Sequence, residues 1–220
     1  MNRQNLIEGY SKSAMIFFII FYAVAIAGFN FPETKSLFLN LTPLALLLSF
    51  TGMMIFHEGD FDRKSIGIFL LIFVLGYFAE VAGVLSGRIF GAYKYDTALG
   101  WKFLETPLLI GMNWLMLTYG FATILQKSKL SHIARLVVAA SGMVLYDAVL
   151  EPSASALQMW TWENGQIPPQ NYSAWFAFSL LFQWIIQGSG IQLKNRIAWL
   201  ILLCQFVFFL VLYVFNSFNL

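Results

Sequence analysis

The chain has little charge and almost no cysteine: 11% of its 220 residues are Asp, Glu, Lys or Arg, and Cys204 is its one thiol. A single cysteine excludes an intrachain disulfide and cannot supply a thiolate metal cluster. So few charges beside 59% hydrophobic residues leave too little polar surface to coat a soluble globule of this size. The formal net charge is +2, and the 13 Lys and Arg are scattered among connections without forming a basic stripe, which excludes a nucleic-acid partner. The last apolar run holds no lysine between Ile197 and Phe215. It therefore offers no Schiff-base site for retinal. The one charge-dense connection, residues 57–64, has no Asp-x-x-x-Asp pair of the kind that binds a diphosphate, and it reads as a solvated loop rather than a ligand set for a metal.

What the sequence has in quantity is long apolar runs. Seven are predicted to be spans, at about 14–29, 37–56, 66–85, 104–125, 133–150, 171–187 and 196–215. The fold class expected is all-α: a polytopic membrane helical bundle of about seven transmembrane helices, one integral membrane domain over residues 1–220. The first run also has the form of a signal peptide ending in Ala25-Ile26-Ala27; it is read here as a retained span. The fourth is expected to start at Leu104, with Glu105 and Pro107 in its first turn, and the fifth to end ahead of Pro152.

Ionisable groups inside such runs attract notice, because insertion scales put their cost at about 2.5–3.5 kcal/mol. Glu80 lies in the third run, and at 100° per residue it shares a face with Gly76, Gly83 and Gly87. Glycines at that spacing let a neighbouring helix approach closely, so Glu80 is expected to point inward, either as a working acid or as a hydrogen-bonding group between two helices. Asp147 and Glu151, four apart, share a face of the fifth helix. Two acids in one apolar site do not readily both ionise, so one is expected to keep its proton near neutral pH. Alternatively, Glu151 faces water at the helix end.

With seven spans, the connections after the third and fifth lie on one side whichever way the chain inserts. Glu80, Glu105, Asp147 and Glu151 are therefore expected in the same membrane half. The amino terminus and the connections after spans two, four and six hold nine Lys and Arg, against four on the other side. The positive-inside rule then puts the amino terminus in the cytoplasm and the acids toward the outer leaflet.

The runs GRIFGAYKYDTALG and PLLIGMNW, followed by YDAVLEP, WTW and IPPQNYSAWF, resemble in order and spacing the membrane carotenoid hydratases of the CruF type. The resemblance covers about Glu80 to Phe176. It departs from the family pattern at Glu105, where a glycine would be expected before Thr106-Pro107. Membership would imply addition of water across the terminal double bond of an acyclic carotenoid end, giving a tertiary alcohol with no redox cofactor and no metal. Such chemistry needs an acid to protonate the alkene, a means of stabilising the tertiary cation, and a guided water. The catalytic candidates are Asp147 as proton donor, with Glu80 or Glu151 as its partner and water-orienting base. The end-group pocket is assigned to Tyr93, Tyr95, Glu105, Asn113, Trp114, Trp160, Trp162, Asn171, Tyr172 and Trp175; aromatic faces stabilise a desolvated cation by about 2 kcal/mol.

The partners implied are an acyclic carotenoid, the lipid bilayer and other carotenoid enzymes, in the cytoplasmic membrane of a bacterium or archaeon. Three other readings stay open at this stage. A carotenoid cyclase would use the same protonation but close the cation on an internal double bond. A proton-coupled carrier would also place acids within the membrane. A pigment-binding protein would hold the polyene without transforming it.

Overall fold

A computed structural model describes residues 3–218. Among them are seven helices: α1 (Arg3–Asn30), α2 (Pro32–Ile55), α3 (Arg63–Ser86), α4 (Leu108–Leu125), α5 (His132–Ala154), α6 (Pro169–Gly188) and α7 (Ala198–Phe218). Six are long and apolar enough to cross a membrane. The exception is α6, whose apolar run is interrupted by Gln170, Asn171, Ser179 and Gln183; the last three are buried, so the residues that dilute its hydropathy face the protein. Helix α4 is the hub, in contact with α2, α3, α5, α6 and α7. Its middle, Trp114 to Gly120, is buried without a break, as expected of a helix apolar all round.

Close packing of α3 on α4 depends on two glycines. A Cβ at Gly76 would stand 2.6 Å from the Cβ of Trp114, and one at Gly111 would stand 2.7 Å from the Phe73 carbonyl oxygen. The second contact is with backbone, which cannot rotate away. Gly111→Ala is therefore expected to force α3 and α4 apart and cost about 1–3 kcal/mol, measurable as a lowered melting temperature in detergent. Of the other glycines expected on this face, Gly83 packs on Phe90 of the following loop. Gly87 does not serve helix contact: at φ 62° it is the left-handed cap that ends α3.

The fold is not purely helical. Tyr93–Tyr95 (β1) pairs antiparallel with Trp160–Trp162 (β4), in register Tyr93 with Trp162 and Tyr95 with Trp160. The ladder is extended by Asp96 and Ala98 amides donating to the Met159 and Gln158 carbonyls. A second pair, Lys102–Phe103 (β2) and Thr106–Pro107 (β3), is a hairpin closed by Leu104 and Glu105 at φ 50° and 60°.

That hairpin corrects the expected start of the fourth helix. Leu104 and Glu105 lie outside α4, which begins at Leu108 after Pro107 at its N-cap. Two consecutive left-handed residues are what a two-residue hairpin turn with the twist of its strands demands, and glycine meets that demand at least cost. The glycine that the resemblance would place at position 105 is thus a turn residue. Glu105→Gly is expected to stabilise the fold by about 1 kcal/mol, read as a raised melting temperature.

At the other end of the bundle, residues 57 and 58 overturn the reading of a solvated loop. His57 is fully buried, with Nδ1 2.8 Å from the Tyr119 hydroxyl. The Glu58 carboxylate meets Lys194 at 2.6 Å and Arg196 at 3.2 Å, tying the end of α2 to the approach to α7. Asn195 completes the joint: its amide donates to the Met53 carbonyl and the Tyr119 hydroxyl, and its oxygen caps α7 by accepting from Ile197 and Ala198. Asp60 and Asp62 remain exposed, as expected of the loop. Asp62 caps α3 through the Ser65 amide, a bond that holds its carboxyl below the usual range.

Candidate active site

The fifth helix runs through Pro152 to Ala154 instead of stopping before the proline. Asp147 and Glu151 consequently both lie within α5, one turn apart, and both are buried. From α3, Glu80 is buried too, and the three carboxyls line one cavity. Its remaining walls include Tyr93 and Tyr95 of β1, Trp160 and Trp162 of β4, Asn113 and Trp114 of α4, and Asn171 and Trp175 of α6.

Strand alternation explains four of these residues. Successive side chains point to opposite faces, so Tyr93, Tyr95, Trp160 and Trp162 share the inner face of the β1–β4 pair. On the outer face Thr161, opposite Lys94, donates to Asp96 at 2.6 Å. The two connections thus form a lid over the ends of α3 and α5, with the four rings facing down. Tyr93 lies 5.0 Å from Trp162 and Tyr95 lies 6.0 Å from Trp160, ring centre to ring centre. Opposite them, Trp114 and Trp175 stack with centroids 4.1 Å apart.

Every carboxyl in the cavity is met by hydrogen-bond donors, but unequally. Glu80 accepts from Tyr93 at 2.5 Å, Tyr95 at 2.8 Å and the Trp114 indole at 2.9 Å. Glu151 accepts from the indoles of Trp160 at 3.1 Å and Trp162 at 2.9 Å, and from Asn171 at 3.2 Å. The same Asn171 amide nitrogen donates to Asp147 at 2.9 Å, so it bridges the two acids of α5. No other side-chain donor reaches Asp147 among the described residues. Burial raises the Tyr93 and Tyr95 phenols well above their ordinary range, and the nearby Glu80 adds to this. Both hydroxyls therefore stay protonated and can donate to Glu80.

Among the described residues, no Lys, Arg or His forms an ion pair with any of the three carboxyls. Nor is any group of three His, Cys, Asp or Glu side chains there arranged to hold a metal ion. The space left between the lining residues is about 20 Å3 at water centres, room for about one water molecule.

The cavity gathers Glu80, Asp147, Glu151, Tyr93, Tyr95, Asn113, Trp114, Trp160, Trp162, Asn171 and Trp175. It does not gather Glu105 or Tyr172. Glu105 is exposed at the hairpin tip, a correction to its assignment to the pocket, because its left-handed turn carries the side chain into solvent. Tyr172 is half-buried beside Asn171 but lies outside the cavity lining. Phe90, Ile110 and Leu150 complete the walls and were not anticipated. Leu150 carried a readable signal, being three residues beyond Asp147 on the same helix face. Phe90 and Ile110 look like ordinary apolar residues in sequence, and only the fold reveals their position.

Fold and site together define an integral membrane helix bundle with three buried carboxyls in an aromatic-walled cavity. The chain belongs to the carotenoid biosynthesis protein family, whose family model matches residues 41–219. It is similar to a bisanhydrobacterioruberin hydratase from Haloarcula japonica, with 28% identity over 153 residues, covering 61% of this chain and 50% of that protein. The chain thus spans about half the length of the curated relative it matches. No solved structure matches it.

Proposed function

We propose that this protein is a carotenoid hydratase, adding water across the terminal double bond of an acyclic carotenoid end group to give a tertiary alcohol. The observation that carries the proposal is the shared cavity of Glu80, Asp147 and Glu151, walled by indoles and phenols. The hydratase name of the Haloarcula japonica relative supports the same reaction class.

In this reading Asp147 holds the proton, because Glu80 and Glu151 each accept from three donors whereas Asp147 accepts only from Asn171. Donors gathered around a carboxyl favour its charged form. Asp147 passes its proton to the inner CH carbon of the terminal double bond, leaving a tertiary cation on the outer carbon, which bears the two methyl groups. The negative charge of Glu80 and the faces of Trp114, Trp175 and the lid aromatics stabilise that cation. Water then adds to the cation through its oxygen, and Glu151 takes the proton released as the alcohol forms. The proton returns to Asp147, which is held by the same amide of Asn171, and the balance is alkene plus water to alcohol. Association with other carotenoid enzymes fits a substrate confined to the bilayer, and a cytoplasmic amino terminus follows from the distribution of Lys and Arg.

The test is expression in a lycopene-producing host followed by pigment mass analysis. A product heavier by one water per reacted end is expected. Cyclised pigment of unchanged mass, or unaltered lycopene with the protein present in the membrane, would overturn the proposal.

A further inference from the structure

The carboxyl cavity has room for about one water, so the long chain of any carotenoid must lie largely outside it. A second cavity, of about 290 Å3, lies between α1, α2 and α7. It is formed by the carboxy-terminal half of α1 (Phe21, Phe29), the amino-terminal part of α2 (Phe38) and the middle of α7 (Phe208, Phe209). Those helix segments belong to the same end of the bundle as the lid. Leu157 and Met159 border it as the chain leaves α5.

Two connections join this groove to the carboxyls. Met159 directly precedes Trp160, whose indole donates to Glu151. Gln205, in the groove wall, accepts from Tyr146, the residue preceding Asp147. No residue lines both cavities; they are linked through the step from Met159 to Trp160 and through the bond from Tyr146 to Gln205. Other cavities lie elsewhere: one at Tyr10 and Phe61, another at Lys127, Lys194 and Arg196, both toward the His57 end.

We infer that the groove between α1, α2 and α7 holds the polyene chain of the substrate while its end group reacts at the carboxyls. This inference rests on the function proposed above. Among the described residues the groove has no charged lining side chain, and its rings pack against one another, Phe29 lying 5.5 Å from Phe208 and 5.8 Å from Phe38. Such walls give a rigid conjugated chain continuous dispersion and ring contact at little entropic cost, whereas a flexible lipid acyl chain would lose rotamer freedom on entering. Met159, unbranched and adaptable, sits where the chain would pass from groove to lid.

The experiment uses the full-length protein in lipid nanodiscs with lycopene as probe, reading bound pigment by absorbance and hydrated product by mass. Ala25→Trp and Ala45→Trp each fill the groove, and Leu47→Trp, on the exposed side of α2, is the control. Both filling variants are expected to lose about tenfold in bound lycopene and in product, with Leu47→Trp within about twofold of the parent. Melting curves report folding, and Ala25→Leu with Ala45→Phe replace any variant that does not fold, with a loss of about threefold expected. Filled variants that bind and hydrate like the parent overturn the groove and leave the hydratase reading standing. A parent that binds lycopene in a groove-dependent way but never yields hydrated product overturns the hydratase reading and leaves the groove standing. A phospholipid retained in the groove and not displaced by lycopene, seen by native mass spectrometry, also overturns the inference.

Discussion

Glu80→Gln is expected to reduce hydrated product by about 10²–10³-fold with a modest drop in melting temperature and little change in membrane level. The separation of activity from stability follows from the hydrogen bonds. The Trp114 indole donates to one carboxylate oxygen of Glu80, while Tyr93 and Tyr95 donate to the other. A glutamine can keep its oxygen on Trp114 and turn its amide toward the two phenols, whose hydroxyls rotate to accept. The two phenol protons lose the carboxylate oxygen they shared, a stability cost of about 1–3 kcal/mol that melting reads separately from the loss of product. What disappears is the negative charge, and with it the electrostatic stabilisation of the carbocation in a site of low dielectric. Product analysis in lycopene-producing cells, paired with melting of the purified variant, separates the two effects. Undiminished product would remove Glu80 from the mechanism and leave it as a bond between α3, α4 and the lid.

The sequence made parts of this arrangement legible and concealed others for physical reasons. A carboxylate within an apolar run is expensive, so Glu80 stood out without any structure, and helical spacing alone put Asp147 and Glu151 on one face. Counting spans placed these acids at one end of the bundle. The lid was harder to see, because strands β1 and β4 lie far apart along the chain and tyrosine and tryptophan are common at membrane interfaces in any case. The alternation Tyr93-Lys94-Tyr95 and Trp160-Thr161-Trp162 was its available signal, since a period of two is a strand pattern. His57 and Glu58 were misread for a related reason: their local composition is that of a solvated loop, and the partners that bury them, Tyr119, Lys194 and Arg196, are remote in sequence. Glu105 misled in the opposite direction. Its place beside the family-like motifs put it in the pocket assignment, whereas its left-handed backbone makes it a matter of turn geometry.

Asp147→Asn is expected to abolish product outright, a larger effect than that of Glu80→Gln, because it removes the proton that starts the reaction. A general acid contributes about 10²–10⁴-fold, and here no second acid is free to substitute, Glu80 and Glu151 each being engaged by three donors. The substitution is nearly isosteric. Its oxygen can keep the 2.9 Å bond from Asn171, so Glu151 and the lid should hold their places. Lycopene binding is therefore expected to persist while hydration falls below detection, which distinguishes loss of chemistry from loss of the pocket. Asn171→Ala provides the complementary case, because it deletes the amide that bridges Asp147 and Glu151 but keeps all three carboxyls. Residual product in Asn171→Ala with none in Asp147→Asn would match a proton donor supported by a positioning residue. Persistent product in Asp147→Asn would move the donor role to Glu151, the other acid of α5 in the same cavity.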